Sequence, residues 1–329
     1  MSKEYRLGRR DAGSYCVRVQ LQPLWVLSVY LLAVFGGGAL LAPWLYWAAD
    51  WTGLIPHKSA PAFHEFIPRS VQILALAGIW PLLRSFGIDS WRAVGFQYRP
   101  NWRAQLGRGF LLGFVSLGFV AAAALTSGAR VWDSHLHLNS VAAALAGATA
   151  TAIVVAVLEE LLFRGVIFGA FRQSNPWLVA LGISSAIYAI VHFLQKPAIV
   201  PTDIRWFSGL VMLPEMLRGL GNVDRLVPAL LVLWLVGMIL GAAYQRSGSL
   251  HYSIGLHAGW IFWLKSYGVL TARGDAGSTQ LWGSARLIDG WVTVAVLGMI
   301  LLWFLRSATF GAGQWSQDSE FDGTTPSRV

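Results

Sequence analysis

SVAAALAGATATAIVVAVLEELLFR, running from Ser140 to Arg164, decides what kind of protein this is. From Ser140 to Leu158 it carries no charge, close to the length of about 20 apolar residues that a helix needs to cross a bilayer. Similar stretches precede it at Leu24–Trp47, Ile67–Phe86 and Gly109–Leu125. Others follow at Trp177–Leu194, Leu226–Tyr244, Leu250–Leu264 and Leu287–Leu305, and Ser140–Phe163 is itself the fourth. None alternates polar and apolar residues as a barrel strand does. A helix satisfies its own backbone hydrogen bonds, which lipid cannot do for it. The expected fold class is therefore all-α, a polytopic transmembrane helix bundle of about eight spans. Arg69 and Pro81 interrupt the second of them.

Composition agrees. Only 12% of the 329 residues are charged, against about 25% in a soluble domain. The net charge of +9 sits mainly in short loops, a signature of membrane orientation. No basic, aromatic-interleaved domain is present to hold nucleic acid, which is excluded as a partner. Membrane lipid and a protein or peptide substrate remain. The single cysteine, Cys16, excludes an intramolecular disulfide and a cysteine-based zinc site. The first apolar run is long and lacks a small-residue cleavage site, so it reads as a span rather than a signal peptide.

Residues 1–22 form a basic segment, 23–306 the transmembrane domain, and 307–329 a Gly-, Ser-, Asp- and Thr-rich tail expected to be disordered. The connection with Arg84, Arg92, Arg99, Arg103 and Arg108 is strongly basic. The loops near Lys58 and Arg130 are not. This pattern and an even span count put both termini in the cytosol. The loop with Lys196, Arg205, Arg218 and Arg225 then faces outward against the trend, and Trp206–Leu217 within it reads as an interfacial helix. The small residues of Ala142–Ala152 let helices approach closely, which places the fourth span at the centre of the bundle.

Ionisable side chains inside spans are expensive and face the bundle interior or a wet cavity. Three places stand out: Glu159-Glu160 with Arg164, His192 four residues after Tyr188, and His257. Glu160 and Arg164 share a helical face and can pair. Glu159 points about 100° away. Counted at about 1.5 Å per residue, Glu159 lies about 20 Å from Arg172, His192 roughly 22 Å from Trp177 and His257 about 16 Å from Arg246. All three groups can meet at one level. A carboxylate in a dry site is suited to act as general base toward water; an ion-pair lock between Glu160 and Arg164 is the structural alternative.

Glu159-Glu160-x-x-x-Arg164, an aromatic-x-x-x-His from Tyr188 to His192, and then His257 together resemble the three-motif signature of the CPBP intramembrane proteases. That family includes the CAAX prenyl proteases of Rce1 type. The resemblance covers about 142–264 and implies an intramembrane endopeptidase acting on a membrane-associated or C-terminal-signal-bearing substrate. It implies that Glu159 and His192 activate the attacking water. It also implies that His257 helps stabilise the oxyanion, with Glu160 and Arg164 supporting the site. Tyr188 stands where the pattern usually has Phe, and Ile261 where many relatives have Asn, which removes a candidate oxyanion donor.

Other readings stay open on the residues. Glu159, His192 and His257 could ligate zinc, although no His-Glu-x-x-His is present, and a metal-free mechanism is preferred. Gly182-Ile-Ser184-Ser185 resembles a rhomboid-type nucleophile with His192 or His257 as base. Asp133, His135 and His137 read as a solvated turn, and Asp275 and Asp289 as loop and interface residues. A non-proteolytic membrane scaffold or immunity-type protein retaining the Glu/His cluster is the non-enzyme alternative. Transport would favour inverted repeats, and none is found.

Overall fold

The computed structural model describes residues 22–53, 63–90, 92, 94–96, 100–193, 203–216, 223–276, 279–284 and 287–306. The N-terminal segment with Cys16, the tail beyond Arg306, and Lys58, Arg99, Lys196 and Arg218 lie outside them, with the expectations attached to them.

The described chain is an all-α membrane helix bundle. Helix α1 is Gln22–Trp51, α2 Phe63–Ser85 and α3 Trp102–Thr126. A short strand β1, Arg130–Trp132, leads to α4, Leu138–Glu160. The helix does not stop there. It continues through a π-helical stretch, Leu161–Phe168, into α5, Gly169–Ser174. Then come α6 (Trp177–Phe193), α7 (Ser208–Met212), α8 (Val223–Ser247), α9 (Leu250–Leu270), β2 (Thr271–Arg273), α10 (Thr279–Trp282) and α11 (Trp291–Arg306). The eight expected spans correspond to α1, α2, α3, α4, α6, α8, α9 and α11. Pro68 and Pro81 both lie inside α2 without ending it, as membrane helices tolerate.

Among the described residues five helices are long and apolar enough to cross a membrane, and α6 and α11 are shorter apolar ones. Helix α9 is long but carries His251, His257 and Lys265. Its neighbours α3 and α4 shield it. The β1–β2 ribbon is antiparallel and pairs Arg130 with Arg273. It ties the exit of α3 to the end of α9, and the Arg130 guanidinium donates to the Thr271 hydroxyl at 2.9 Å.

Close helix contact is not where the alanine run suggested. On α4 only one stripe, Ala148, Ala152 and Ala156, is buried before the site, where the helix packs on α9. Ala142, Ala143, Ala146, Gly147 and Ala150 are exposed. This helix lies at the edge of the bundle, because its one packing stripe is satisfied by one partner and alanine is at ease against lipid.

The intimate contact is between α3 and α9. Gly109 and Gly113 on α3 face Gly255 and Gly259 on α9, each pair spaced as Gly-x-x-x-Gly. A Cβ at Gly109 or Gly113 would strike the backbone of Tyr252 or Leu256, and one at Gly255 that of Leu106. At Gly259 it would lie 2.6 Å from Phe110 O. Small residues at this spacing let membrane helices touch backbone to backbone. On the other side of the bundle, Gly237 and Gly241 of α8 repeat the spacing against α6, where a Cβ at Gly237 would lie 2.8 Å from Ser185 Cβ. The two helices that carry His192 and His257, α6 and α9, are thus each docked through a neighbour's glycine pair.

Gly113→Leu and Gly255→Leu are each expected to destabilise the detergent-solubilised protein by about 1–3 kcal/mol or more, as overpacking does. Gly147→Leu, with nothing near its Cβ position, should leave the melting temperature unchanged. An equal loss at all three positions would contradict this packing.

Trp206–Leu217 is described as far as Met216 and is not one continuous helix. Only Ser208–Met212 is α-helical, and it is set against α1, with Gly209 on the Ala39 backbone. Met212 and Met216 close a small core with Ala42, Tyr46, Phe63, Phe66 and Ile67.

Candidate active site

The site begins where α4 passes into the π-helical stretch. Hydrogen bonds there run to the fifth residue rather than the fourth, and such segments often occur at functional sites. Ile79, Leu82 and Leu83 of α2, with Ile88 and Val94, pack on Leu161 and Val166 and support this segment from behind. Val94 O lies 3.0 Å from the position a Cβ on Gly165 would take, so the motif's glycine makes room for the loop after α2.

Glu160 and Arg164 pair at 2.8 Å. Arg164 also approaches Gly237 O of α8 at 3.5 Å, and its guanidinium lies 4.7 Å from the Tyr188 ring centroid. From α9, His257 Nδ1 donates to Glu160 Oε1 at 2.9 Å, since the ionised, Arg-paired carboxylate can only accept. On the opposite edge of the ring, His257 Nε2 is 3.7 Å from Glu159 Oε2. Glu159 Oε2 in turn meets His192 Nε2 of α6 at 2.9 Å. Glu159, His192 and His257 therefore come together at one level of the bundle, joined by Glu160 through His257.

Burial divides the cluster. The side chains of Glu160, Arg164 and His257 are 0, 3 and 5% exposed, whereas Glu159 and His192 are each 24% exposed. The first three form an inner brace, and the last two make up the more exposed edge of the cluster. His192 Nδ1 lies 2.9 Å from the carbonyl of Tyr188, which can only accept, so Nδ1 carries hydrogen. A 2.9 Å contact between Nε2 and Glu159 Oε2 then requires a proton between them. Glu159 and His192 share one proton, an arrangement fit to take a proton from water and return it.

Tyr188 is more central than its substitution for Phe suggested. Its hydroxyl lies 3.5 Å from Glu159 Oε2 and 3.5 Å from His257 Nε2. Its ring stacks on His192 with centroids 4.0 Å apart and takes the edge of Phe163 at 4.9 Å. Neither Phe163 nor the glycine pairs were singled out from the sequence. The Gly-x-x-x-Gly spacing was legible there, whereas the neighbourhood of Phe163 was not.

The other candidates do not join this cluster. Ser184 donates to Leu181 O of its own helix at 3.1 Å. Among the described residues no hydrogen bond links Ser184 or Ser185 to either histidine. Asp133 accepts from the backbone N–H of His135 at 2.9 Å, a local turn. Asp289 accepts from Ser284 N at 2.7 Å. Ile261 is buried in the main core, so it packs within the bundle rather than against lipid, and it has no polar group to offer. As potential zinc ligands, His192 and His257 both turn Nε2 toward the same oxygen of Glu159. Among the described residues no group of three or more His, Cys, Asp or Glu side chains is arranged to hold a metal ion.

No curated protein and no solved structure matches the chain. A family model does, described as type II CAAX prenyl endopeptidase Rce1-like, over residues 141–263. That interval runs from the first turn of α4 into α9 and takes in Glu159, Glu160, Arg164, Tyr188, His192 and His257. The part of this chain that builds the Glu/His cluster is thus the part that is similar to the Rce1-like family.

Proposed function

We propose that this protein is an intramembrane endopeptidase of CAAX type that hydrolyses a peptide bond with a water activated by Glu159 and His192. The observation that carries the reading is the 2.9 Å contact between these two side chains at the accessible edge of an otherwise buried cluster. Water attacks the scissile carbonyl carbon and gives its proton to the Glu159–His192 pair. A C–O bond forms, and the carbonyl oxygen takes the negative charge. When the C–N bond breaks, the same proton leaves on the amine, so the pair is restored. His257, anchored through Nδ1 to Glu160, turns Nε2 toward the reacting centre and in its protonated form donates to the oxyanion. Arg164 holds Glu160 in place.

We also propose that both termini lie in the cytosol, a reading supported by the basic connection before α3. Arg103 lies in the first turn of α3 and His135 beyond its other end, between β1 and α4, so Arg103 lies inside and His135 outside. Cysteine accessibility at the two positions tests this, and reversed labelling overturns it.

The enzymatic test uses the purified full chain in liposomes and an internally quenched, farnesylated peptide ending in a CAAX sequence. Cleavage is expected with the wild type, to be absent with Glu159→Gln, and to persist with 1,10-phenanthroline. No cleavage by the wild type overturns the CAAX-type reading. Loss with chelator and return with zinc would make Glu159, His192 and His257 ligands instead.

A further inference from the structure

We propose that the hydroxyl of Tyr188 is a second oxyanion donor beside His257, an assignment that rests on the endopeptidase reading above. The phenol oxygen, His257 Nε2 and Glu159 Oε2 form a nearly equilateral triangle, with sides of 3.5, 3.5 and 3.7 Å. Two donors 3.5 Å apart can both reach one oxygen at the ordinary hydrogen-bond length of about 2.8 Å. Glu159 at the third corner stands where the attacking water must be held. The triangle therefore has a corner for the base and an edge for the developing charge.

The hydroxyl is free to serve. Both of its contacts lie at the outer limit of a hydrogen bond, so its proton is committed to neither partner. Its position is nonetheless fixed, because the ring is wedged by His192, Phe163 and the Arg164 guanidinium. It also remedies two shortages. Ile261 supplies no donor one turn beyond His257. His257 itself, with one hydrogen on Nδ1, can donate from Nε2 only when doubly protonated. A phenol donates without any change of charge.

The test measures kcat and KM on the farnesylated CAAX peptide for the wild type, Tyr188→Phe, Ile261→Asn, the double variant and Glu159→Gln. Tyr188→Phe keeps the ring and loses one oxygen. Its kcat is expected to fall about 10²–10³-fold with KM and melting temperature unchanged. Ile261→Asn brings a donor to the same face of α9, four residues from His257, and in the double variant should restore kcat by on the order of tenfold or more. Wild-type kcat in Tyr188→Phe overturns the proposal, as does a loss confined to KM. An unfolded Tyr188→Phe also overturns it, since the hydroxyl would then be structural. So does a double variant no faster than Tyr188→Phe. If Glu159→Gln is inactive while Tyr188→Phe is unimpaired, only this assignment falls. If Glu159→Gln cleaves at full rate, the endopeptidase mechanism falls with it.

Discussion

Glu159→Gln and His192→Ala are each expected to lower kcat by about 10²–10⁴-fold, the usual contribution of a positioned general base. The two side chains share one proton across 2.9 Å, and either substitution ends the sharing. A glutamine amide cannot take a proton from water. Alanine at 192 leaves Glu159 without the ring that aligns it. Both side chains are partly exposed, and the packing lost with His192 is its stacking on Tyr188 and Phe163, so Glu159→Gln should insert and melt as the wild type does and His192→Ala only slightly below it. The double variant should be scarcely slower than either single one, because residues that act as a unit are strongly non-additive. Cleavage of the farnesylated peptide measures the rates, and thermal unfolding in detergent measures the fold. Independent, multiplying losses would mean that Glu159 and His192 act in separate steps.

Arg164→Met should act chiefly on stability. Glu160 is fully buried, and its Oε1 receives both Arg164 and His257, while Oε2 is buried without a hydrogen-bond partner. Removing the guanidinium leaves a carboxylate in the bundle with His257 as its remaining side-chain donor. Breaking a buried ion pair from one side costs about 3–5 kcal/mol, whereas replacing both partners by apolar residues is often close to neutral. Arg164→Met should therefore melt well below the wild type, and the pair Glu160→Leu with Arg164→Met should recover much of the loss. The recovered protein should still be inactive, since His257 Nδ1 would have lost its acceptor. This separates the ion-pair lock from catalysis: activity returning with stability would make Glu160 and Arg164 purely structural. Unchanged stability in Arg164→Met would contradict the buried pair itself.

The two effects differ because the cluster has two layers. The inner one, Glu160, Arg164 and His257, is dry and binds the π-helical stretch, α8 and α9 together. The outer one, Glu159 and His192, is where reactants arrive. Adjacent residues of one helix serve both layers, because neighbouring side chains leave the axis about 100° apart.

Much of this was written in the order of residues. Uninterrupted apolar runs of bilayer length dictated helices, since no other open structure satisfies its backbone in lipid. The charges placed inside those runs marked Glu159, Glu160, Arg164, His192 and His257, because their burial is too expensive to be incidental. Helical rise was enough to bring them to one level. Tertiary structure decided what a rise per residue cannot. It put the alanine-rich α4 at the edge and gave the close contacts to the glycine pairs of α3, α8 and α9, because which face of a helix is buried depends on its neighbours. It carried α4 past Glu160 through a π-helical stretch to Ser174. It set the Tyr188 hydroxyl between Glu159 and His257. A side chain's distance from groups on two other helices is fixed by how those helices pack, and no spacing along one chain encodes it.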